Sequence, residues 1–229
     1  RLPVRIGCLK VVERRFTPGP ETAAWRPDAT DMNFMGNDTS SFGNSAAPRV
    51  CLLIGSFHPV VGGGETHARL LCAEFRGRGI SVCVITRRRI RATPAFEVVD
   101  DVPVYRVPPS GAPRVGKYLM MSLALFRLIR MRREYDLVYV CGLRVLGTVG
   151  VLAARLLGKR CVLRSESRGE LSGAFVWQSI DGRTHPVLKA LFAGPIRLRN
   201  GLLRKADAFL SISGVIREEY EACGIAGER

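Results

Sequence analysis

The pattern of apolar and polar positions changes character at Arg49. Over residues 1–48 Gly, Pro, Ser, Thr, Asn and Asp recur without a helical or strand period, as in "ETAAWRPDATDMNFMGNDTSSFGNSAAP". Such a stretch offers little apolar surface against the entropy of ordering it, and is expected to be a disordered leader or flank. From Arg49 to Arg229 short apolar runs alternate with segments of helical period. "RVCLLIGSF", "ISVCVITRR", "VPVYRVP", "DLVYVCG", "KRCVLRSES" and "DAFLSIS" read as six strands, the first being continuously apolar, as in a strand buried on both faces. "ETHARLLCAEFRGRG" places Ala68, Leu71, Cys72 and Phe75 at helical spacing before Gly79. Further helices are expected in "VGKYLMMSLALFRLIRMRREY", in "VLGTVGVLAARLLG", in "HPVLKALFAGPIRLRNGLLRKA", where Pro195 is expected to kink or split the run, and in "GVIREEYEACG". Strands alternating with helices imply βαβ units. The expected fold class is therefore α/β: one doubly wound, mostly parallel Rossmann-like sheet over residues 49–229, with helices on both faces. Ligands bind such sheets beyond the carboxyl ends of the strands. That rule directs attention to the loops at 56–64, 87–95, 141–147, 165–174 and 213–215.

Composition narrows the picture. The chain has 229 residues and a net charge of +15, of which +14 falls between Arg49 and Arg229. A field of that sign attracts anions such as acidic headgroups or phosphorylated small molecules. No RNA-binding signature or metal-finger spacing is present, so nucleic acid is not an expected partner. Seven cysteines form no C-x-x-C pair, and Cys51, Cys83, Cys141 and Cys161 lie inside apolar runs. They are expected to be reduced core residues of a cytoplasmic protein. No segment reaches the ~18–20 consecutive apolar residues of a membrane span, and residues 1–48 lack an apolar signal core. The segment from Arg114 to Tyr135 sets Arg114, Lys117, Arg127, Arg130, Arg132 and Arg133 beside Leu119, Met120, Met121, Leu123, Leu125, Phe126 and Ile129. It is either a core helix with a solvated basic end or a surface for peripheral contact with an anionic membrane. The chain opens at Arg1 and closes on "GIAGER", which suggests a fragment.

Candidate chemistry concentrates in "HPVVGGGETH", between the first strand and first helix. The triphosphate pattern G-x-x-x-x-G-K-[ST] fails because no Lys follows the glycines. The dinucleotide pattern G-x-G-x-x-G fails as well: Gly62 and Gly64 are followed by His67, and the second strand ends in "TRRR" without a ribose-binding acid. What remains is either a plain tight turn or a glycine loop that brings backbone and helix N-terminus close to an anion. His58, His67 and His185 are too dispersed for metal-ligand spacing, and no metal or cofactor is expected.

The series "LLIGSFHPVVGGGETHARLLCAEFRGRGISVCVIT", "EYDLVYVCGL", "GKRCVLRSESRGEL" and "LLRKADAFLSISGVIREEYEACGI" resembles the N-terminal domain of glycosyltransferase family 4. Gly63 and Gly64 match its Gly pair, and Glu65, Leu70, Leu71, Gly79, Val82, Val84 and Thr86 match the positions around it. The resemblance implies half of a GT-B fold, in which this domain holds the acceptor. Its loop Gly62, Gly63, Gly64, Glu65 would lie near the phosphates and sugar of a nucleotide-diphosphate sugar. A facing domain with a basic clamp and an E-x7-E motif would grip the nucleotide, and its absence after Arg229 would leave this piece inactive alone. It also implies transfer of a hexosyl unit with retention, without a cofactor, to a sugar or lipid-linked hydroxyl acceptor. Many members place a His after the fifth strand. Here Ser165 and Glu166 stand in that region, and Gly169–Glu170 resembles the Gly-acid step of another branch. The catalytic candidates are thus Glu166 and Glu170, with His58, Ser165 and Gly169 as further acceptor or sugar contacts; solvated loop acids are the plain alternative. Set against the transferase reading is a non-catalytic Rossmann-like module that binds an anionic or phosphorylated ligand.

Overall fold

The computed structural model describes residues 10–13, 47–111, 116–175 and 186–225. The strands are β1 (Lys10–Glu13), β2 (Arg49–Ile54), β3 (Ser81–Arg87), β4 (Phe96–Val99), β5 (Val102–Val107), β6 (Leu137–Cys141), β7 (Arg160–Arg164) and β8 (Ala208–Ser211). The helices are α1 (Gly63–Gly77), α2 (Gly116–Arg130), α3 (Leu146–Leu157), α4 (Pro186–Leu203) and α5 (Gly214–Ala222).

The strands form a single sheet in the order β1-β8-β7-β6-β2-β3-β5-β4. The six strands read from the sequence are its parallel interior, β8-β7-β6-β2-β3-β5. Within this parallel interior the path begins in the middle with β2, winds outward to β3 and β5, then returns to β6 and winds the other way. The order reverses between β2 and β6, the switch point beside which such sheets bind ligands.

Two strands depart from the expectation, both antiparallel and both at edges. β4 pairs with β5 through a two-residue turn at Asp100 and Asp101, whose φ values are 51° and 58°. Its burial alternates, so it lacks the continuous apolar run that marks the interior strands. β1 pairs with β8 and lies within the segment expected to be a disordered leader, which is corrected at Lys10–Glu13; residues 1–9 and 14–46 lie outside the described residues. Pro195 does not split α4, which runs through it.

The sheet carries two cores. On one face α1 buries Ala68 and Cys72 against Val50, Leu52, Val84, Tyr139 and Cys141. On the other, residues of α2, α3, α4 and α5 pack with Cys51, Leu53, Ile85, Val138, Val140 and Leu163. α3 is buried along most of its length, including Val149, Val151, Ala153 and Ala154. Six described cysteines are free, and all but Cys223 are buried. An ion pair pins the N-terminal ends of the central strands: Asp136 accepts from Arg49 N–H at 3.2 Å, Nε at 3.0 Å and Nη2 at 2.9 Å. No described helix is long and apolar enough to cross a membrane.

Candidate functional site

At the carboxyl ends of the strands a cleft of about 380 Å³ opens beside the switch point. Its walls are Ile54, Gly55 and Ser56 after β2, Gly63, Gly64 and Glu65 at the start of α1, Arg164 and Glu166 at the end of β7, and Ile212 after β8.

The first wall is built locally. β2 ends at Ile54, and the chain turns at Val60 N–H, which donates to Phe57 C=O at 3.1 Å. Gly62, in extended conformation, stands as N-cap of α1, and no side chain caps this end. The first free N–H groups and the positive end of the helix dipole thus face the cleft. Glu65 in the first turn accepts a hydrogen bond from Ser56 Oγ, which holds its carboxylate across the loop. A glycine at position 64 has a steric cause, since a Cβ there would lie 3.1 Å from Glu166 Oε1. At Gly63 a Cβ would meet nothing within 4 Å.

The second wall is assembled from afar. Ser165, fully buried, donates its N–H to Tyr220 Oη at 3.1 Å, and the same phenol lies 2.7 Å from Ser165 Oγ. Burial pushes that phenol up to about 12, so it stays protonated. Glu219, also buried, accepts from Gly169 N–H at 2.6 Å, Ser172 N–H at 2.9 Å and Ser172 Oγ at 2.8 Å. Glu170 is 2% exposed and accepts from Leu143 N–H at 2.9 Å and Ser167 Oγ at 3.0 Å, with Arg144 Nε at 3.3 Å. Arg199 closes the group by donating to Leu143 C=O at 2.9 Å and Glu170 C=O at 2.7 Å.

Held by this network, Glu166 projects into the cleft. Besides its approach to Gly64, its Oε2 would lie 3.2 Å from a Cβ at Gly142, a residue with φ of 82°. Positive φ and close approach both favour glycine there. Although Glu166 is exposed as a residue, partial desolvation at the cleft wall, with Glu170 and Glu65 close by, raises its pKa above the ordinary carboxylate value, while Arg164 and Arg144 oppose the rise.

The sequence candidates therefore separate. Gly63, Gly64, Glu65 and Glu166 come together on the cleft wall, with Gly62 as the cap behind them. Ser165, Gly169 and Glu170 lie behind it as buried framework, and the Glu170 carboxylate is occupied by the loops it joins. His58 precedes a cis Pro59 and offers its carbonyl to Arg106 at 2.6 Å; it is not among the lining residues. Sequence reasoning missed Arg164, Glu219 and Tyr220. Only Arg164 left a local signal, a cation on the same strand face as the apolar Val162. It is 5% exposed, and its Nε and Nη1 have no hydrogen-bond partner. Among the described residues no group of three or more His, Cys, Asp or Glu could hold a metal ion.

A sequence model described as "Glycosyl transferase 4-like domain" matches residues 62–229. No curated protein matches the chain. Among solved structures, the sucrose-phosphate synthase of Thermosynechococcus elongatus aligns with a TM-score of 0.52 and 14% identity, over 79% of this chain and 46% of that one. A second structure, of a segment of the same enzyme, gives a TM-score of 0.41 and 18% identity over 63% of this chain and 81% of that one. The first likeness is one of fold, and the chain spans less than half the length of that synthase structure.

Proposed function

Because the chain belongs to the glycosyl transferase 4-like domain family, we propose that its cleft serves transfer of a hexosyl unit from a nucleotide-diphosphate sugar to a hydroxyl of a sugar or lipid-linked acceptor, with retention at the anomeric carbon. The observation that supports this most is the meeting of the uncapped N-terminus of α1 with Glu166 at the switch end of the sheet. In such a transfer negative charge builds on the departing diphosphate while the sugar becomes cation-like, so positioned dipoles and hydrogen-bond acceptors carry the catalysis. On this reading Gly63 and Gly64 present backbone N–H groups to the donor. Glu65 and Glu166 accept hydrogen bonds from sugar or acceptor hydroxyls. Glu170 and Ser165 keep the second wall in place. In a two-domain enzyme of this kind the facing domain grips the nucleotide, and this domain completes the site from the acceptor side. The reading includes no cofactor beyond the donor.

The test is release of nucleoside diphosphate by the full gene product across a panel of UDP-, GDP- and ADP-sugars with candidate acceptors. Gly64→Val, which drives a side chain into Glu166, is expected to lower turnover at least ~100-fold, the scale seen when one positioned group of a charge-stabilising site is lost. Unchanged turnover would reduce the glycine loop to a turn.

The proposal extends to the place of reaction, a cytoplasmic membrane surface. α2 leaves Tyr118 59%, Leu119 50% and Phe126 64% exposed, with Arg130 on the same face and Arg132 and Arg133 just beyond. Apolar and cationic residues side by side suit the interface of an anionic bilayer. Co-sedimentation of the protein with vesicles is expected to need acidic lipid, and equal sedimentation with neutral vesicles would end this part of the reading.

A further inference from the structure

We infer that Arg106 is a positioning residue for the cleft, setting where the glycine loop stands through the carbonyl of His58. The inference rests on the reading that sugar transfer is served at this cleft. It adds to that reading a residue on β5, two strands from β2 and not among the lining residues.

Val102, Val104 and Arg106 share one face of β5, the first two buried in the core beneath α1. The row ends in a cation whose side chain is 2% exposed. A buried charge is costly unless it is paired and hydrogen-bonded. Glu97 on the edge strand β4 supplies the pair, its carboxylate accepting from Arg106 Nη2. Nη2 also donates to His58 C=O at 2.6 Å, and Nη1 donates to Pro94 C=O at 3.4 Å. One planar fork thus joins β4, the loop that leads into β4 and the loop between β2 and α1. A Lys ammonium is a point charge and does not reproduce that fork. Thr86, the register partner of Arg106 on β3, takes no share in this: it is buried and its hydroxyl has no hydrogen-bond partner.

The bond to His58 falls where it governs the glycines. Phe57 is buried in the core beneath α1, and Val60 N–H closes a turn onto Phe57 C=O at 3.1 Å. His58 lies inside that turn, so a hydrogen bond to its carbonyl fixes the chain as it enters the glycines. Gly62 C=O then accepts from Thr66 N–H at 2.9 Å, and α1 begins. A shift at His58 is passed to Gly64, where a Cβ would already lie 3.1 Å from Glu166 Oε1. Misplacement by ~1 Å from a change far from the chemistry can cost ~100-fold in rate.

The test is Arg106→Lys in the full gene product, which keeps the charge beside Glu97 and removes the fork. Its kcat is expected to fall ~30-fold or more with KM within ~threefold of wild type, the pattern of an interaction realised in the transition state. The control is Val104→Ala, on the same face of the same strand. It opens a cavity and lowers Tm, while kcat, measured where the protein is folded, stays within ~twofold of wild type. If kcat fell equally in both variants, Arg106 would be framework only and the inference would be overturned. Hydrogen exchange tests the tie without substrate. In Arg106→Lys the N–H groups of Val60 and Thr66 should exchange ~tenfold or more faster than in wild type, while those of Gly169 and Ser172, held by Glu219, should not change. Unchanged exchange at Val60 and Thr66 would also overturn the inference. If Arg106→Lys does not fold, exchange of wild type under rising denaturant decides. The N–H of Val60 and that of Arg106, which donates to Ala95 C=O at 2.7 Å, should open as one unit; separate opening refutes the tie. Faster exchange at Val60 and Thr66 in a gene product that transfers no sugar would keep the tie and retire the transferase reading. Transfer unchanged by Arg106→Lys would do the reverse.

Discussion

The two walls of the cleft are built by opposite means. The Gly62–Glu65 wall is mostly local: a strand ends, a short loop turns, a helix starts, and Ser56 holds Glu65 from nine residues away, with one distant tie from Arg106 to the His58 carbonyl earlier in the loop. The wall that carries Glu166 is held by residues distant in the chain. Glu219 and Tyr220 reach it from 47 to 55 positions away, and Glu170 ties it to Leu143 across 27. A wall made mostly by local backbone geometry should tolerate changes in its neighbours, that one tie excepted, but not at its own glycines. A wall made by buried carboxylates should fail when one of those distant acids is removed, even though none of them touches the cleft.

The largest expected effect falls on the distant wall. Glu219→Ala leaves the N–H groups of Gly169 and Ser172 without their acceptor inside the protein. At ~1–3 kcal/mol for each unsatisfied buried group, a loss of about 3 kcal/mol is expected in urea unfolding. Glu170→Ala frees Leu143 N–H and Ser167 Oγ, with an expected loss of about 2 kcal/mol by the same reasoning. Because it also uncouples the loop after β6 from the loop after β7, transfer should fall more than the lost stability explains. If Glu219→Ala unfolded at wild-type urea concentrations, the contrast between the walls would be broken.

On the local wall the contrast becomes one between neighbours. Gly64→Ala places a Cβ 3.1 Å from Glu166 Oε1 and should reduce transfer by displacing that carboxylate. Gly63→Ala reaches open space in a helix first turn and should leave stability within ~1 kcal/mol of wild type, the span of the Gly-to-Ala helix propensity difference. Equal effects at the two positions would remove the steric account of Gly64. The smallest effect lies at the opposite end of the sheet. Hydrogen bonds from Arg49 hold the Asp136 carboxyl down at about 2. Because the folded value lies below the unfolded one, the contribution is full above about pH 4 and is lost as pH falls toward 2. The gap in Tm between wild type and Asp136→Asn should close over that window, with transfer at neutral pH unaffected.

The same division explains what the sequence revealed. The six interior strands, the helix after the glycines and the strand-end loops are legible because buried parallel strands and amphipathic helices write their periods locally. β4 escaped because a four-residue edge strand whose apolar residues are interrupted by Glu97 is too short to make the continuous run that marks the interior strands. Glu166 and Glu170 stand four residues apart in one loop, and nothing in "RSESRGEL" distinguishes them. Glu170 becomes framework only because Leu143 and Arg144 arrive from another strand, and Glu166 becomes cleft wall because Gly64 and Gly142 make room for it. Glu219 and Tyr220 sit in an ordinary amphipathic helix whose pattern does not show which loop they will hold.

That pair of acids gives the most direct test of the central claim, that the cleft face presented by Glu166 is where sugar transfer is served. Transfer by the full gene product carrying Glu166→Gln should be measured beside its Tm. Since the folded pKa of Glu166 is raised, its charged form is disfavoured by folding at neutral pH, and the Gln variant should melt no lower than wild type there. The expected result is transfer lowered by about 100-fold or more in a protein at least as stable as wild type. Transfer within about twofold of wild type would contradict the account.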